Sequence, residues 1–385
     1  MNALTKIFSC LAIGVAAVGC SNSTKSITVT NQLDIDRFDE ITAVDMASLN
    51  LPAGESFVIV DSEGNEVPYQ LTYDNQLIFP ATVAANSSAD YTLRPGTPAP
   101  VDTLVYGRLF PERKDDMAWE NDKSAYRAYG PALQASGERA FGYDIWTKSV
   151  ETPILEHRYY EDRVNRVSFH VDHGNGMDVY AVGPTLGGGT AALLVDNDSI
   201  IYPYCFKEWE VLDNGPLRFT TRLVYNPLTV ASDTNVVETR VISLDRGSHL
   251  NRTTVSYSGL SAKGRVAPGI VVHRQNPDGY SIDTENHYMA YADSTDNAAN
   301  GNGVIFVGVM VPGEFDDMIN KPLNAPAGDA VGHLLAPVEY TPDSPFTYYW
   351  GSGWSKGDVA TMDEWEEELK SAYRKSQSPL KVTVK

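Results

Sequence analysis

Between Ser26 and Arg94 apolar and polar residues alternate in short runs. ITVTN, SFVIVD, QLIFPATV and YTLRP are separated by Glu63-Gly64-Asn65 and Asp74-Asn75. β-Branched and aromatic residues at a period of two, broken by turn formers, predict strands. Their spacing predicts a small β-sandwich over residues 26–94. Pro95-Gly96-Thr97-Pro98-Ala99-Pro100 opens a stiff linker over 95–105. Strand-like runs then continue through a second domain over 106–385, among them RVSFHVD, MDVYAVG, TAALLVD, LRFTTRLVY, GIVVHR and FTYYWGSGW. In LRFTTRLVY, Leu217, Phe219, Thr221, Leu223 and Tyr225 face one way, and Arg218, Thr220, Arg222 and Val224 the other. No strand–helix alternation of a doubly wound fold runs through the chain. One helix is predicted over 361–376, where Thr361 and Glu364 form a capping box and Trp365 and Leu369 share a face. The pattern is therefore mainly β: a small N-terminal β-sandwich, a large antiparallel two-sheet sandwich and a C-terminal amphipathic helix.

The first twenty residues follow a different rule. Lys6 precedes an apolar run from Ile7 to Val18, too short to span a bilayer as a helix. Ala17-Val18-Gly19-Cys20 resembles a lipobox, so residues 1–19 are expected to be a lipoprotein signal peptide, with lipidation at Cys20 and a polar tether over 20–25. The implied location is the cell envelope, anchored to a membrane through the N-terminal lipid. Of the three cysteines only Cys205 then remains as a thiol, inside the apolar run IIYPYCF.

Composition narrows the partners. The chain has 385 residues, 42% hydrophobic and 21% charged, with a formal net charge of -20. That acidity excludes nucleic acid as a natural partner. The excess is uneven, because between Arg108 and Arg166 seven Arg and three Lys face eleven acidic residues. A nearly neutral, Arg-rich stretch suits an anionic group on a ligand.

Candidate chemistry concentrates there. RVSFHVDHGNGMDVYAVG places His170, Asp172, His173 and Asp178 within nine positions. As a strand it would set Arg166, His170 and Asp172 on the face opposite Val167, Phe169 and Val171. His exchanges protons near neutral pH, and a neighbouring carboxylate fixes its tautomer. A divalent metal near His170, Asp172 and Asp178 is conceivable chemically, but HExxH and EF-hand spacings are absent, so neither metal nor cofactor is assigned. RKDDMAWENDKSAYRAYG shows no clean helical or strand face and is expected to be a polar loop that gathers Trp119, Glu120, Asn121, Asp122, Tyr126 and Arg127, and Trp146 with Lys148 repeats the theme. Aromatic faces beside polar groups suit a sugar. His273 and Arg274 close an apolar strand, and Trp350 and Trp354 offer further stacking surface.

RKDDMAWENDKSAYRAYG, GYDIWTKS, FHVDHGNGMDVYAVGPTLGGG and YYWGSGWSK together resemble an uncharacterised lipoprotein family of saccharolytic Gram-negative bacteria, encoded among genes for polysaccharide breakdown. The resemblance extends over almost the whole mature chain. It implies a core like the galactose-mutarotase supersandwich and a carbohydrate ligand. It also implies a histidine acid among His170, His173 and His273, with Glu120 or Glu208 as base.

Two readings follow. In the first the protein is a glycan-degrading enzyme acting on a uronate-containing oligosaccharide. As a lyase it would neutralise the carboxylate with Arg127 or Arg166; as a hydrolase it would pair Glu120 or Asp122 with Asp172 or Asp178. In the second it is a non-catalytic glycan-binding lipoprotein with Trp119, Trp146, Trp350 and Trp354 as platforms.

Overall fold

The computed structural model describes residues 25–385, apart from 52, 53, 55, 197 and 295–297. The expected signal peptide, Cys20 and all but the last residue of the expected tether lie outside the described residues.

The N-terminal strands form two small sheets around their own core. In one, Lys25–Thr30 pairs with Ser88–Pro95, which pairs with Phe57–Val60. In the other, Arg37–Asp45 pairs with Gln76–Val83. Ile27, Val29, Ile59, Leu77, Phe79 and Leu93 interdigitate between them. The chain's last strand, Lys381–Val384, crosses back to pair with Lys25–Thr30. A boundary drawn from sequence alone leaves this strand with the large domain.

The large domain is a two-layer antiparallel sandwich. One layer is a nine-stranded sheet whose central strands are Arg218–Tyr225, Asp233–Asp245, Leu250–Ser258, Phe346–Trp354 and Ile305–Met310. The facing layer has two parts. A six-stranded sheet is built around Gly188–Val195, Gly264–His273 and Ala330–Leu335. A four-stranded sheet comprises Tyr106–Phe110, Asp116–Glu120, Ser124–Ala128 and Asp144–Thr147. The two parts meet at a bridge between Tyr143 and Gly187. The mainly β, two-sandwich architecture expected from the sequence is the one found.

The helix forms as predicted, over Met362–Gln377, with the Thr361 side chain accepting from Glu364 N. The Glu364 side chain caps Ala360 N in return. Trp365 and Leu369 are buried against Phe306, Met310 and Val359 on the outside of the nine-stranded sheet. Burial of such side chains stabilises by roughly 1.5–3 kcal/mol each. Gly308 permits the close approach, since a Cβ there would lie 2.8 Å from Leu369 Cδ2.

Two predictions fail. The polar loop expected over 113–130 is instead a pair of strands, Asp116–Glu120 and Ser124–Ala128, buried on both faces. RVSFHVD and MDVYAVG are not strands. An unpredicted helix, Leu155–Tyr160, runs on through a wider turn, Glu161–Asn165, into an irregular segment over 166–187. The Asp172 carboxylate accepts from Gly174 N at 2.8 Å and Gly176 N at 3.0 Å, and both glycines have positive φ. This local hydrogen bonding competes with any ladder and folds the segment into turns. Two-face alternation of Arg166, His170 and Asp172 against Val167, Phe169 and Val171 is thereby lost.

Candidate functional site

The four-stranded sheet is buried on both faces. Its inner side sends Met117, Trp119, Tyr126 and Ile145 into the main core against the nine-stranded sheet. Its outer side carries Asp116, Glu120, Arg127, Asp144 and Trp146, which the helix 155–160 and the segment after it cover with Leu155, Tyr159 and Phe169. Strand alternation explains the grouping. Arg127 stands opposite Asp144 in one ladder and Ala118 in the other, which brings acidic neighbours from two strands to one guanidinium.

Three carboxylates surround Arg127. Its Nη2 lies 2.5 Å from Asp144 Oδ2 and 3.0 Å from Asp178 Oδ2, and its Nη1 lies 3.4 Å from Asp116 Oδ2. Tyr159 OH donates to Asp116 and Trp146 Nε1 donates to Asp144. Three negative charges against one positive charge, all buried, cannot remain fully ionised. Burial pushes the Asp116 carboxyl up to about 6, with Arg127 opposing. Burial and the Asp144 charge drive Asp178 well above the ordinary carboxylate range. Burial therefore favours retention of a proton within the cluster. Arg127 itself occupies the space between the carboxylates. Among the described residues no group of three or more His, Cys, Asp or Glu side chains is arranged to hold a metal ion.

The cluster reaches the surface through Asp178. His170 Nδ1 lies 2.7 Å from the Asp178 backbone carbonyl oxygen, and its ring is largely exposed. A carbonyl only accepts, so the neutral imidazole carries its proton on Nδ1 and leaves Nε2 as a free base. His173 has the opposite tautomer: Nε2 lies 3.0 Å from Ser168 O, which leaves Nδ1 free.

His173 also lines a cleft of about 150 Å³. His157, Arg158, Phe169, Val171 and Asn175 share its wall. Gly176 belongs there for a steric reason. With φ +96° and a Cβ that would come within 2.2 Å of Thr147 O, no other residue fits.

Several residues chosen from sequence are engaged elsewhere. Trp119, Trp146 and Trp350 are fully buried and packed with other rings, and Trp354 is nearly buried with its Nε1 donating to Asn302 O, so none is a stacking platform. Glu120 is not free as a base or as half of a hydrolytic pair. It accepts from Ile154 N, Leu155 N and Lys148 Nζ at 2.8–2.9 Å, capping the helix 155–160, whose own first residues supply no side-chain cap. Lys148 is buried on that carboxylate. Asn121 Nδ2 donates to Asp245 O and Ser248 O, Asp122 accepts from Gly247 N, and Tyr126 OH donates to His249 O. These contacts join the four-stranded sheet to the nine-stranded one. Arg127 has three aspartates and so cannot be the receptor for a substrate carboxylate. Arg166 is exposed at a left-handed turn, Arg274 pairs with Asp329 on the surface, and Glu208 is exposed beside Lys207.

His273 is not among the residues that line the cleft. It is buried, with Nδ1 2.5 Å from Asp293 Oδ2 and the Tyr180 ring 6.0 Å away. Cys205 is buried, and burial raises its thiol to about 12, which removes it as a nucleophile. Sequence reasoning missed Asp116, Asp144, Tyr159, His157 and Arg158. Each is unremarkable in its own segment, and the convergence is entirely tertiary.

Residues 29–382 match the family described as Domain of unknown function (DUF4861). The chain belongs to the DUF4861 family. It is 28% identical over 382 residues to "Uncharacterized protein P7" of Formosa agariphila, covering 93% of each chain. Two solved structures from Enterococcus faecalis are similar at low identity. One is a protein in the Glycosyl Hydrolase Family 38, with a TM-score of 0.49 and 7% identity over 94% of this DUF4861 chain and 47% of the other. The second is an alpha-mannosidase, with a TM-score of 0.44 and 9% identity over 94% and 46%. The chain spans about half the length of both solved structures.

Proposed function

We propose that this protein is an exported, lipid-anchored enzyme that degrades a uronate-containing oligosaccharide by proton transfer, most simply by elimination. The observation that carries the reading is the pair of imidazoles, His170 and His173, each held in one tautomer by a backbone carbonyl and each leaving a ring nitrogen free. A base that is exposed, oriented and next to a carboxyl cluster in which burial favours a retained proton suits general acid–base chemistry.

In the elimination, His173 takes the proton beside the uronate carboxylate. The C–H electron pair becomes the new C=C bond, the C–O bond to the departing sugar breaks, and the imidazolium returns its proton to the leaving oxygen. Hydrolysis is the less favoured route, because the carboxylate pairs it would use lose Glu120 to the helix cap and Asp172 to the glycine turn.

The non-catalytic alternative keeps a sugar ligand but loses the four tryptophans as platforms. Lipidation at Cys20 and placement in the cell envelope rest on the sequence of residues 1–20. The test is incubation with a panel of uronate-containing and neutral oligosaccharides. Ultraviolet absorbance of unsaturated product is expected; reducing ends without it indicate hydrolysis. Retardation without any product would leave a binding protein and overturn the enzymatic reading.

A further inference from the structure

Five Arg and Lys side chains are buried among the described residues: Arg37, Arg127, Lys148, Arg158 and Arg240. Four have a carboxylate in direct contact. Arg37 lies 2.5 Å from Glu40, Arg240 2.5 Å from Glu238, Lys148 2.8 Å from Glu120, and Arg127 has its three aspartates. Arg158, only 4% exposed, has none within 4 Å. Its Nη2 donates to the carbonyls of Thr147 and Asn175 at 2.9 and 2.5 Å, and its Nε donates to Asn175 Oδ1 at 3.2 Å. Those acceptors are neutral. They fix the guanidinium without cancelling its charge, and Nη1 has no partner at all. Burial is the larger influence and pulls the Arg158 pKa down to about 10, opposed only by the charges of Glu120, Asp178 and Asp172, none of which touches it.

We infer that the cleft walled by Arg158 is the receptor for a sugar carboxylate, the charged group of one uronate unit. This rests on the carbohydrate reading above and names the part of the ligand the site selects. Four features agree. The charge is fixed and no carboxylate touches it, so an incoming carboxylate gains a partner already desolvated and oriented. The volume, about 150 Å³, holds roughly five waters, room for one ring and not for a chain. Val167, Phe169 and Val171 supply apolar wall for the C–H face of that ring. His173, the proposed base, lies on the same wall, where the acidic proton next to a bound carboxylate would stand. Glu161 is the one acidic lining residue, and both its oxygens accept from Asn165 Nδ2.

Free glucuronate tests the inference independently of turnover, since it has no glycosidic bond to cleave. Calorimetric or NMR titration of the full chain with glucuronate, glucose and glucose 6-sulfate is the experiment. Glucuronate is expected to bind at least tenfold more tightly than glucose. Arg158→Gln should remove that preference. Because Arg158 also ties Thr147 to Asn175, a second variant leaves it in place: Val171→Trp fills the cleft from its exposed lip and should weaken glucuronate at least tenfold. Equal binding of glucuronate and glucose, or wild-type affinity in Val171→Trp, would overturn the receptor. Tighter binding of the sulfate ester than of glucuronate would overturn its assignment to carboxylates. Binding without any oligosaccharide turnover would sink the enzymatic reading and leave the receptor standing.

Discussion

His170 holds its Nδ1 2.7 Å from the backbone carbonyl of Asp178, whose carboxylate lies 3.0 Å from Arg127. An exposed imidazole is thus fixed by the same residue that closes a buried cluster of three acids and one guanidinium. His173, three positions on, is fixed in the other tautomer by Ser168 O. The loop presents two oriented bases above a carboxyl group whose protonated form burial favours.

His173 is exposed and touches little besides Ser168 O, so its loss should leave folding intact. His173→Ala is expected to lower turnover of a uronate-containing oligosaccharide by at least about 100-fold, the usual contribution of a positioned base. Steady-state rates and a thermal melt on the same preparation decide it. Full activity in a variant that melts normally would remove His173 from the mechanism.

Removing Arg127 should be a stability effect before it is anything else. Arg127→Met leaves Asp116, Asp144 and Asp178 buried together without their cation, and such a change destabilises by about 3–5 kcal/mol. Urea denaturation followed by tryptophan fluorescence measures it. A variant within about 1 kcal/mol of wild type would show that the carboxyls neutralise without Arg127.

Asp116 predicts a pH dependence. Its ordinary value of 3.8 rises to about 6 in the folded chain, so the folded state binds more protons between those values. Stability from this group is therefore present at low pH and lost as pH rises from about 4 to about 6, on the order of 3 kcal/mol in all. Asp116→Asn should flatten that slope in denaturation curves taken across the window. An unchanged slope would place the excess proton on another carboxyl.

His249 acts in the same direction over a higher window. It bridges Asp358 and Glu368 beneath the C-terminal helix, 3.1 Å from one and 3.4 Å from the other. Burial alone would lower its pKa, but the hydrogen bonds to those two carboxylates raise it from 6.5 to about 9. The contribution is complete below 6.5 and lost as pH rises through 9, on the order of 3 kcal/mol. Emission from Trp365, whose ring lies 5.9 Å from His249, should report loosening of the helix over that range. His249→Asn should abolish the transition.

Lipidation is tested most directly by mass. The mature N-terminal peptide of the natural protein is expected to carry acyl chains on Cys20, and Cys20→Ser should move the protein from the membrane fraction to the soluble one. An unmodified N-terminus beyond residue 20 would replace the lipoprotein with an ordinary secreted protein.

Alternation at a period of two gave many of the strands of both sandwiches, but not Asp116–Glu120 and Ser124–Ala128, which are buried on both faces and so carry no polar side for the pattern to show. Thr361, Glu364, Trp365 and Leu369 likewise define the terminal helix through local rules alone. The pattern broke at 166–187, where Asp172, Gly174 and Gly176 bond within their own segment and override an alternation that resembles a strand. It was also silent about Trp119, Trp146, Trp350 and Trp354, since a buried indole and a stacking platform have the same letter.

The sequence by itself determined the β class, the small leading sandwich, the capped helix and the region in which titratable groups crowd together. Each depends on residues near one another in the chain. Only the tertiary structure decided that Arg127 is consumed by Asp116, Asp144 and Asp178, that Glu120 caps a helix more than thirty residues away, and that Arg158 is the buried guanidinium no carboxylate touches. Whether a charge is paired depends on which strands and loops fold over it, and burial magnifies the difference because a low-dielectric interior leaves no water to compensate.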